Sequence, residues 1–296
     1  MRYLVSHSTA YTYSSAVHDS RGLYHLRPRS LPWQEVTSHV VHADPLPADV
    51  NGDVDLYGNT VTYFQVARAH KQLVIEAKTE VTVFPPRYDE DSLSTPWELA
   101  RPLENPDAAG GWAAVEFALE SPRAAHAEGV TEYAAASLTP GRPIGEAVTD
   151  LMHRIHADFD YDSTATTVTS TVADVLRKRA GVCQDFAHLA LACLRSHGLA
   201  ARYVSGYLAT QPPPGRDRVI GADASHAWVA VWMPGSADWL AVDPTNDQWA
   251  GERYVTVAWG RDYGDVSPVK GIIFTKAKKS TLRVAVDVAP LPEIPS

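Results

Sequence analysis

Across the first ~85 residues, apolar and polar side chains alternate with the two-residue period of half-buried strands. Tyr3-Leu4-Val5-Ser6-His7 and Tyr11-Thr12-Tyr13 open the series, and residues 36–42, 60–67 and 72–84 continue it. Asp55-Leu56-Tyr57-Gly58-Asn59 marks a turn between two of these runs. The pattern predicts a β-sandwich or a twisted antiparallel sheet. From residue 85 to 123 the alternation lapses into Pro, Asp, Glu, Ala and Gly, including Asp107-Ala108-Ala109-Gly110-Gly111, as at a domain boundary.

A helical period then takes over. A short helix is expected near residues 124–137. After Pro143, which suits a first helical position, Ile144, Val148, Leu151, Met152 and Ile155 form one apolar stripe. Thr171 and Asp174 resemble a capping box opening a short helix through Arg179. Gly181-Val182-Cys183 leads into a further helix whose Phe186, Ala187, Leu189, Ala190, Leu191, Cys193 and Leu194 face nearly all directions. A helix apolar all round is a buried, central one, and Gly198 is its stop signal. Strand-like runs follow at residues 201–209, 226–233 and 239–243, and another at 281–288 is expected to add to one of the sheets.

Composition bounds the picture without naming a function. With 296 residues, 45% hydrophobic and 21% charged, the chain is an ordinary globular one with room for two domains. A formal net charge of -9 argues against general nucleic-acid binding, which draws its affinity from a basic surface. The start, Met1-Arg2-Tyr3-Leu4-Val5-Ser6-His7, turns polar too soon for a signal peptide, and no apolar run reaches the roughly 18 residues of a span. No membrane association is expected, and the cytoplasm is the expected location. Cys183 and Cys193 sit ten residues apart on one predicted helix, about 15 Å at ~1.5 Å per residue, too far for a disulfide between them.

Cys183 is then the residue with chemistry to offer. It opens a helix, where free N–H groups and the helix dipole favour a thiolate and can hold a developing oxyanion. The alternative is a small buried hydrophobe, the role that suits Cys193. In the run from Ser225 to Trp232, His226 shares a face with Trp228 and Ala230. A tight turn at Pro234-Gly235 would set His226 directly opposite Asp243, close enough for a carboxylate to orient an imidazole. A two-residue slip would keep the two on one face; a one-residue slip would not. Tyr161 either lines this site or packs at a helix end; Gln184 lies in the first turn beside Cys183; Trp228 is either a pocket wall or core. His153 and His156 read as surface residues. A zinc set of Cys183, His188, His226 and Asp243 has the right ligand types, but His188 is five residues from Cys183 and off its helix face, so no metal or other cofactor is expected. The loop at residues 211–223, with Pro212, Pro213 and Pro214 and with Arg216 and Arg218, delivers the chain to His226 and is expected to border the cleft.

Several of these stretches resemble a known family. Arg179-Ala180-Gly181-Val182-Cys183-Gln184-Asp185-Phe186-Ala187-His188, Ala201-Arg202-Tyr203-Val204-Ser205-Gly206-Tyr207, His226-Ala227-Trp228 and Asp243-Pro244-Thr245-Asn246 are similar to the core of the bacterial transglutaminase-like proteins, within the papain-like cysteine enzymes. Gly260-Arg261-Asp262-Tyr263 resembles the segment after that core. His25-Leu26-Arg27-Pro28-Arg29 and Asp55-Leu56-Tyr57-Gly58-Asn59 resemble the family's β-rich N-terminal domain. The resemblance implies an α+β fold: a β-rich, sandwich-like domain at 1–90, a connection at 91–124, a catalytic core at 125–270 with the Cys-bearing helix on an antiparallel sheet, and a strand and tail at 271–296. It implies a Cys-His-Asp triad of Cys183, His226 and Asp243, with Tyr161, Gln184 and Trp228 as candidates for the substrate side. The expected chemistry is acyl transfer from a peptide or protein amide through a thioester, hydrolysis before crosslinking. A binding or scaffold protein that keeps the fold is the alternative. Ala230 departs from the family, which usually has Glu there, and so does the longer Ser236-Ala237-Asp238.

Overall fold

The computed structural model describes residues 1–167, 169–210, 225–236 and 238–292. Five strands open the chain: β1 (Arg2–Tyr24), β2 (Gln34–Asp44), β3 (Asp49–Val54), β4 (Thr60–Val66) and β5 (His70–Val83). They lie antiparallel in the order β2-β5-β1-β4-β3. The two-residue period is visible in β1, where Tyr3, Val5, His7 and Thr9 are all buried. Its pairing with β5 shifts register between Thr12 and Val17, and there the long strand bends and the sheet curls. A single curled sheet, rather than two stacked ones, is therefore how the alternation is used. Between β3 and β4 the Asp55 carboxylate accepts the N–H groups of Tyr57 and Asn59, and Gly58 takes a positive φ of 77°.

The connection that follows is not a bare linker. It holds α1 (Glu90–Ser94), α2 (Gly111–Ala114) and 3₁₀ turns, and buries Trp97, Ala100, Phe117 and Ala124. α3 (Val130–Ala135) comes next. The predicted stripe lies on α4 (Ile144–Asp158), with Ile144, Val148, Leu151, Met152 and Ile155 all 3% exposed or less. Burial of such side chains stabilises the fold by about 1.5–3 kcal/mol each. Two residues, Asp160–Tyr161, form β6. α5 (Val172–Lys178) begins with the expected box: Thr171 Oγ1 accepts the Asp174 N–H, and the Asp174 carboxylate accepts the Thr171 N–H. β7 (Ala180–Gly181) runs parallel to β6 and leads into α6 (Cys183–Arg195), buried from Asp185 onward.

The second sheet carries α6 on one face. It comprises β8 (Ala201–Leu208), β9 (Ser225–Trp232), β10 (Trp239–Asp243), β11 (Gln248–Trp249) and β12 (Tyr254–Gly260), antiparallel in the order β11-β10-β9-β8-β12. The β9–β10 register differs from the expected one by two residues: Trp239 pairs with Trp232 and Val242 with Val229, so Asp243 is level with Trp228. The cause is the turn. The Met233 N–H donates to the Asp238 carbonyl, which closes a longer loop than a two-residue Pro-Gly turn.

After α7 (Tyr263–Val266), the chain returns to the first sheet as β13 (Val269–Thr275) and β14 (Ser280–Leu291). β14 flanks the first half of β1 and β13 the second half. The core is continuous between the sheets. Tyr3, Val5, Val81, Val83, Val286 and Val288 belong to the same buried cluster as α4, α6 and β9. His7 Nδ1 and the Tyr207 hydroxyl, 3.0 Å apart and buried, join β1 to β8. Among the described residues no helix is long and apolar enough to cross a membrane.

Candidate active site

Cys183 owes its position to the start of α6. Val182, the N-cap, is extended and has no polar side chain, so Asp185 folds back and accepts the Val182 N–H at 2.9 Å. The same Asp185 oxygen accepts the Thr166 hydroxyl at 2.6 Å. Gly181 makes room: a Cβ there would fall 2.9 Å from the Asp185 side chain. The first-turn amides of Cys183 and Gln184 have no intrahelical carbonyl to meet. Asp185 is thus a buried clasp on the helix start.

His226 stands at the beginning of β9 with its side chain 10% exposed. Its Nε2 lies 2.6 Å from Asp243 Oδ2, a diagonal contact between strands despite the shifted register. Cys183 acts on the same ring from the other side, helping Asp243 to raise the imidazole pKa, so the thiol lies within electrostatic reach of it. With Nε2 given to Asp243, Nδ1 is the nitrogen left to face the thiol. The three residues expected to act together are therefore in one place.

Asp243 is fully buried yet well supplied with donors. Oδ1 accepts the N–H groups of Thr245 and Asn246 at 2.9 and 3.3 Å. Oδ2 also accepts the Asn246 side-chain amide and the Tyr254 hydroxyl, each at 2.7 Å. Burial pushes the carboxyl pKa up, but His226, Asn246 and Tyr254 outweigh it and hold it below its usual value. For His226 burial pulls the other way, down. The hydrogen bond and charge of Asp243, with Cys183, prevail and hold it up at about 10. At neutral pH the imidazole is a cation between a sulfur and a buried carboxylate.

The remaining candidates divide. Tyr161 is 62% exposed, and the β6–β7 pairing sets it level with Gly181, beside Cys183, whose charge adds to burial in raising the phenol pKa. Gln184 is half-buried next to the thiol. Trp228 is 1% exposed and stacks on the imidazole with ring centres 6.1 Å apart. Its burial puts it beneath His226 rather than in the cleft, a correction to its place on the substrate side. The loop at residues 211–223 lies outside the described residues. Among those residues no cluster of three His, Cys, Asp or Glu side chains is gathered for a metal.

Sequence reasoning missed the supports. Tyr254 is held by Gln248 Nε2 at 2.6 Å, and Gln248 in turn by Arg253 at 2.9 Å, a chain of donors ending on Asp243. His153 and His156, expected as surface residues, are exposed, but they tie α4 to the loop after β10. His153 Nδ1 pairs with the Asp247 carboxylate, and His156 Nδ1 donates to the Thr245 carbonyl at 3.0 Å.

A profile described as the bacterial transglutaminase-like N-terminal region matches residues 3–82, and one of the transglutaminase-like superfamily matches residues 131–244, a span that contains Cys183, His226 and Asp243. An uncharacterized protein of Mycobacterium tuberculosis is 48% identical over 98% of this chain and 93% of its own. The chain belongs to the transglutaminase-like superfamily. An uncharacterized Mycobacterium leprae protein, 34% identical, aligns over 98% of this chain and 99% of its own. Among solved structures, a candidate cysteine protease from Cytophaga hutchinsonii superposes with a TM-score of 0.74 at 19% identity. It covers all of this chain and 93% of that one, so the transglutaminase-like fold extends through both halves.

Proposed function

We propose that this protein is a cysteine enzyme that cleaves or transfers amide acyl groups of peptides or proteins, with hydrolysis as its main outcome. The observation that carries the reading is the position of His226, 2.6 Å from buried Asp243 and within electrostatic reach of the helix-opening Cys183. The Cys183 sulfur adds to the amide carbon, and the carbonyl electrons move onto oxygen, which the Cys183 and Gln184 amides stabilise. When those electrons return, the C–N bond breaks, His226 gives its proton to the departing nitrogen, and a thioester remains on Cys183. Neutral His226 then takes a proton from water as that water attacks the thioester; the C–S bond breaks and the thiolate–imidazolium pair is restored. Asp243 keeps the ring oriented throughout. The Cytophaga hutchinsonii protein, described as a candidate cysteine protease, supports hydrolysis over transfer.

The test is intact-protein and peptide mass spectrometry after incubation with a library of peptide amides, with and without a primary amine. The expected result is an acyl adduct confined to Cys183, absent in Cys183→Ala, and discharged mainly to the free acid. Peptide binding without any adduct on Cys183 would favour a binding protein on the same fold.

A further inference from the structure

The face of the second sheet turned away from α6 holds a buried cation with no carboxylate paired to it among the described residues. Arg202, on β8, is 7% exposed. Its guanidinium carbon lies 3.5 Å from the ring centre of Trp259 and 4.3 Å from that of Trp239, so the group is held between two indoles. Arg29 lies 3.6 Å from the same Trp259 ring. Two guanidinium carbons that close to one ring centre must occupy opposite faces, giving a stack of Arg29, Trp259, Arg202 and Trp239. Indole faces attract a cation but accept little from its in-plane N–H donors.

Those donors are the open question. Arg202 Nε is buried and has no hydrogen-bond partner among the described residues, and Arg202 forms no ion pair with any of them. The other deeply buried guanidinium shows what satisfaction looks like: Arg195 donates to the Phe117, Ala201 and Arg261 carbonyls and to the Ser121 hydroxyl. Directly across the β8–β9 pair from Arg202 stands Ala230, so the nearest cross-strand position supplies a methyl group and no charge. Arg202 borders a narrow pocket of about 20 Å³, lined also by Tyr88, Trp228, Trp239, Tyr254 and Trp259. That is room for one water-sized body and little more.

We propose that this pocket binds a single small inorganic anion of chloride size on the Arg202 guanidinium. A buried guanidinium stays protonated, and an uncompensated buried charge is strongly unfavourable, so a counter-ion that fits the space is the chemical complement. The narrow space favours a monatomic anion over polyatomic organic ones. The Arg29 charge on the far face of Trp259 adds to the attraction and weakens the case for a neutral water in the same place. The site also shares walls with the catalytic constellation. Trp228 stacks on His226, and Tyr254 donates to Asp243, so an ion here braces both supports from behind.

The experiment compares melting temperatures in sodium chloride and sodium gluconate at equal ionic strength. Chloride, and equally bromide, should raise the wild-type melting temperature saturably by about 3 °C or more, through preferential binding to the folded state. Ala230→Glu, which places a carboxylate opposite Arg202, should melt in gluconate as the wild type does in chloride and should lose the chloride increment. Should that variant not fold, wild-type crystals grown in bromide provide the second reading: an anomalous peak against Arg202 supports the site. Equal melting in the two salts, a chloride increment that survives Ala230→Glu, or no bromide peak against Arg202 overturns it.

Discussion

Asp243 and Cys193 show how differently burial acts on two residues of modest size. Asp243 is buried among donors and stays charged; Cys193 is buried among apolar side chains, and burial pushes its thiol up to about 12. Iodoacetamide near neutral pH should therefore label Cys183 in the folded protein and reach Cys193 only on denaturation, as peptide mapping over time would show. Asp243→Asn should leave the fold cooperative but depress turnover severely. An amide favours the wrong imidazole tautomer, and the comparable change in a serine-protease triad lowers kcat about 10⁴-fold. Far-ultraviolet circular dichroism alongside kinetics separates that effect from unfolding. The pH dependence has a defined sign. His226 has a folded pKa of about 10, above its ordinary value of 6.5, so its contribution to stability is complete below 6.5 and is lost as pH rises through about 10. Asp243, held below its ordinary 3.8, contributes above that value and fails as acid protonates it. The melting-temperature gap between wild type and His226→Ala should accordingly be widest near pH 6 and close by about pH 10. A gap independent of pH would mean that the imidazole is neutral in the fold.

At the scale of elements, the start of α6 is the most constrained piece of backbone in the site. Gly181→Ala would press a methyl group against Asp185 and dislodge the clasp on Val182. A destabilisation of about 1–3 kcal/mol is expected from such overpacking. Because the helix start would shift, a fall in the Cys183 alkylation rate should accompany the lower melting temperature. Much at this scale was legible beforehand. The stripe on α4, the capping box of α5, the all-round apolar character of α6 and the limits of β8, β9 and β10 each follow from local periodicity or capping chemistry. The His226–Asp243 contact was anticipated through an incorrect register. It survives because a two-residue slip returns the same face, and a side chain as long as His bridges the diagonal. Tyr254 was not foreseeable in this way. It reaches Asp243 from β12, which is not hydrogen-bonded to β10, and nothing in an alternating apolar strand distinguishes one inward tyrosine from another. His153 and His156 are on the surface as expected, but their ties to the loop after β10 were not foreseeable for a related reason, since those partners lie about ninety residues further along the chain.

For the whole molecule, the decisive arrangement is the return of β13 and β14 to β1, a pairing that local pattern could suggest only as a strand looking for a sheet. It makes the two regions matched by separate family models share one core, with Val286 and Val288 packed in the cluster that also surrounds α6. This has a consequence for the life of the chain during synthesis. β1 is made well before its partners, and β5 can cover one of its edges early, but the other edge waits for residues 269–291, about 250 residues later in the chain. Until then the longest strand of the protein exposes unpaired backbone, the condition under which nascent chains adhere to one another or recruit chaperones. Ribosome-stalled chains ending before residue 269 should be cut by protease within residues 2–24, whereas released chains that include residues 269–291 should resist. Protection of that segment in the shorter chains would show that the first sheet closes without its final two strands.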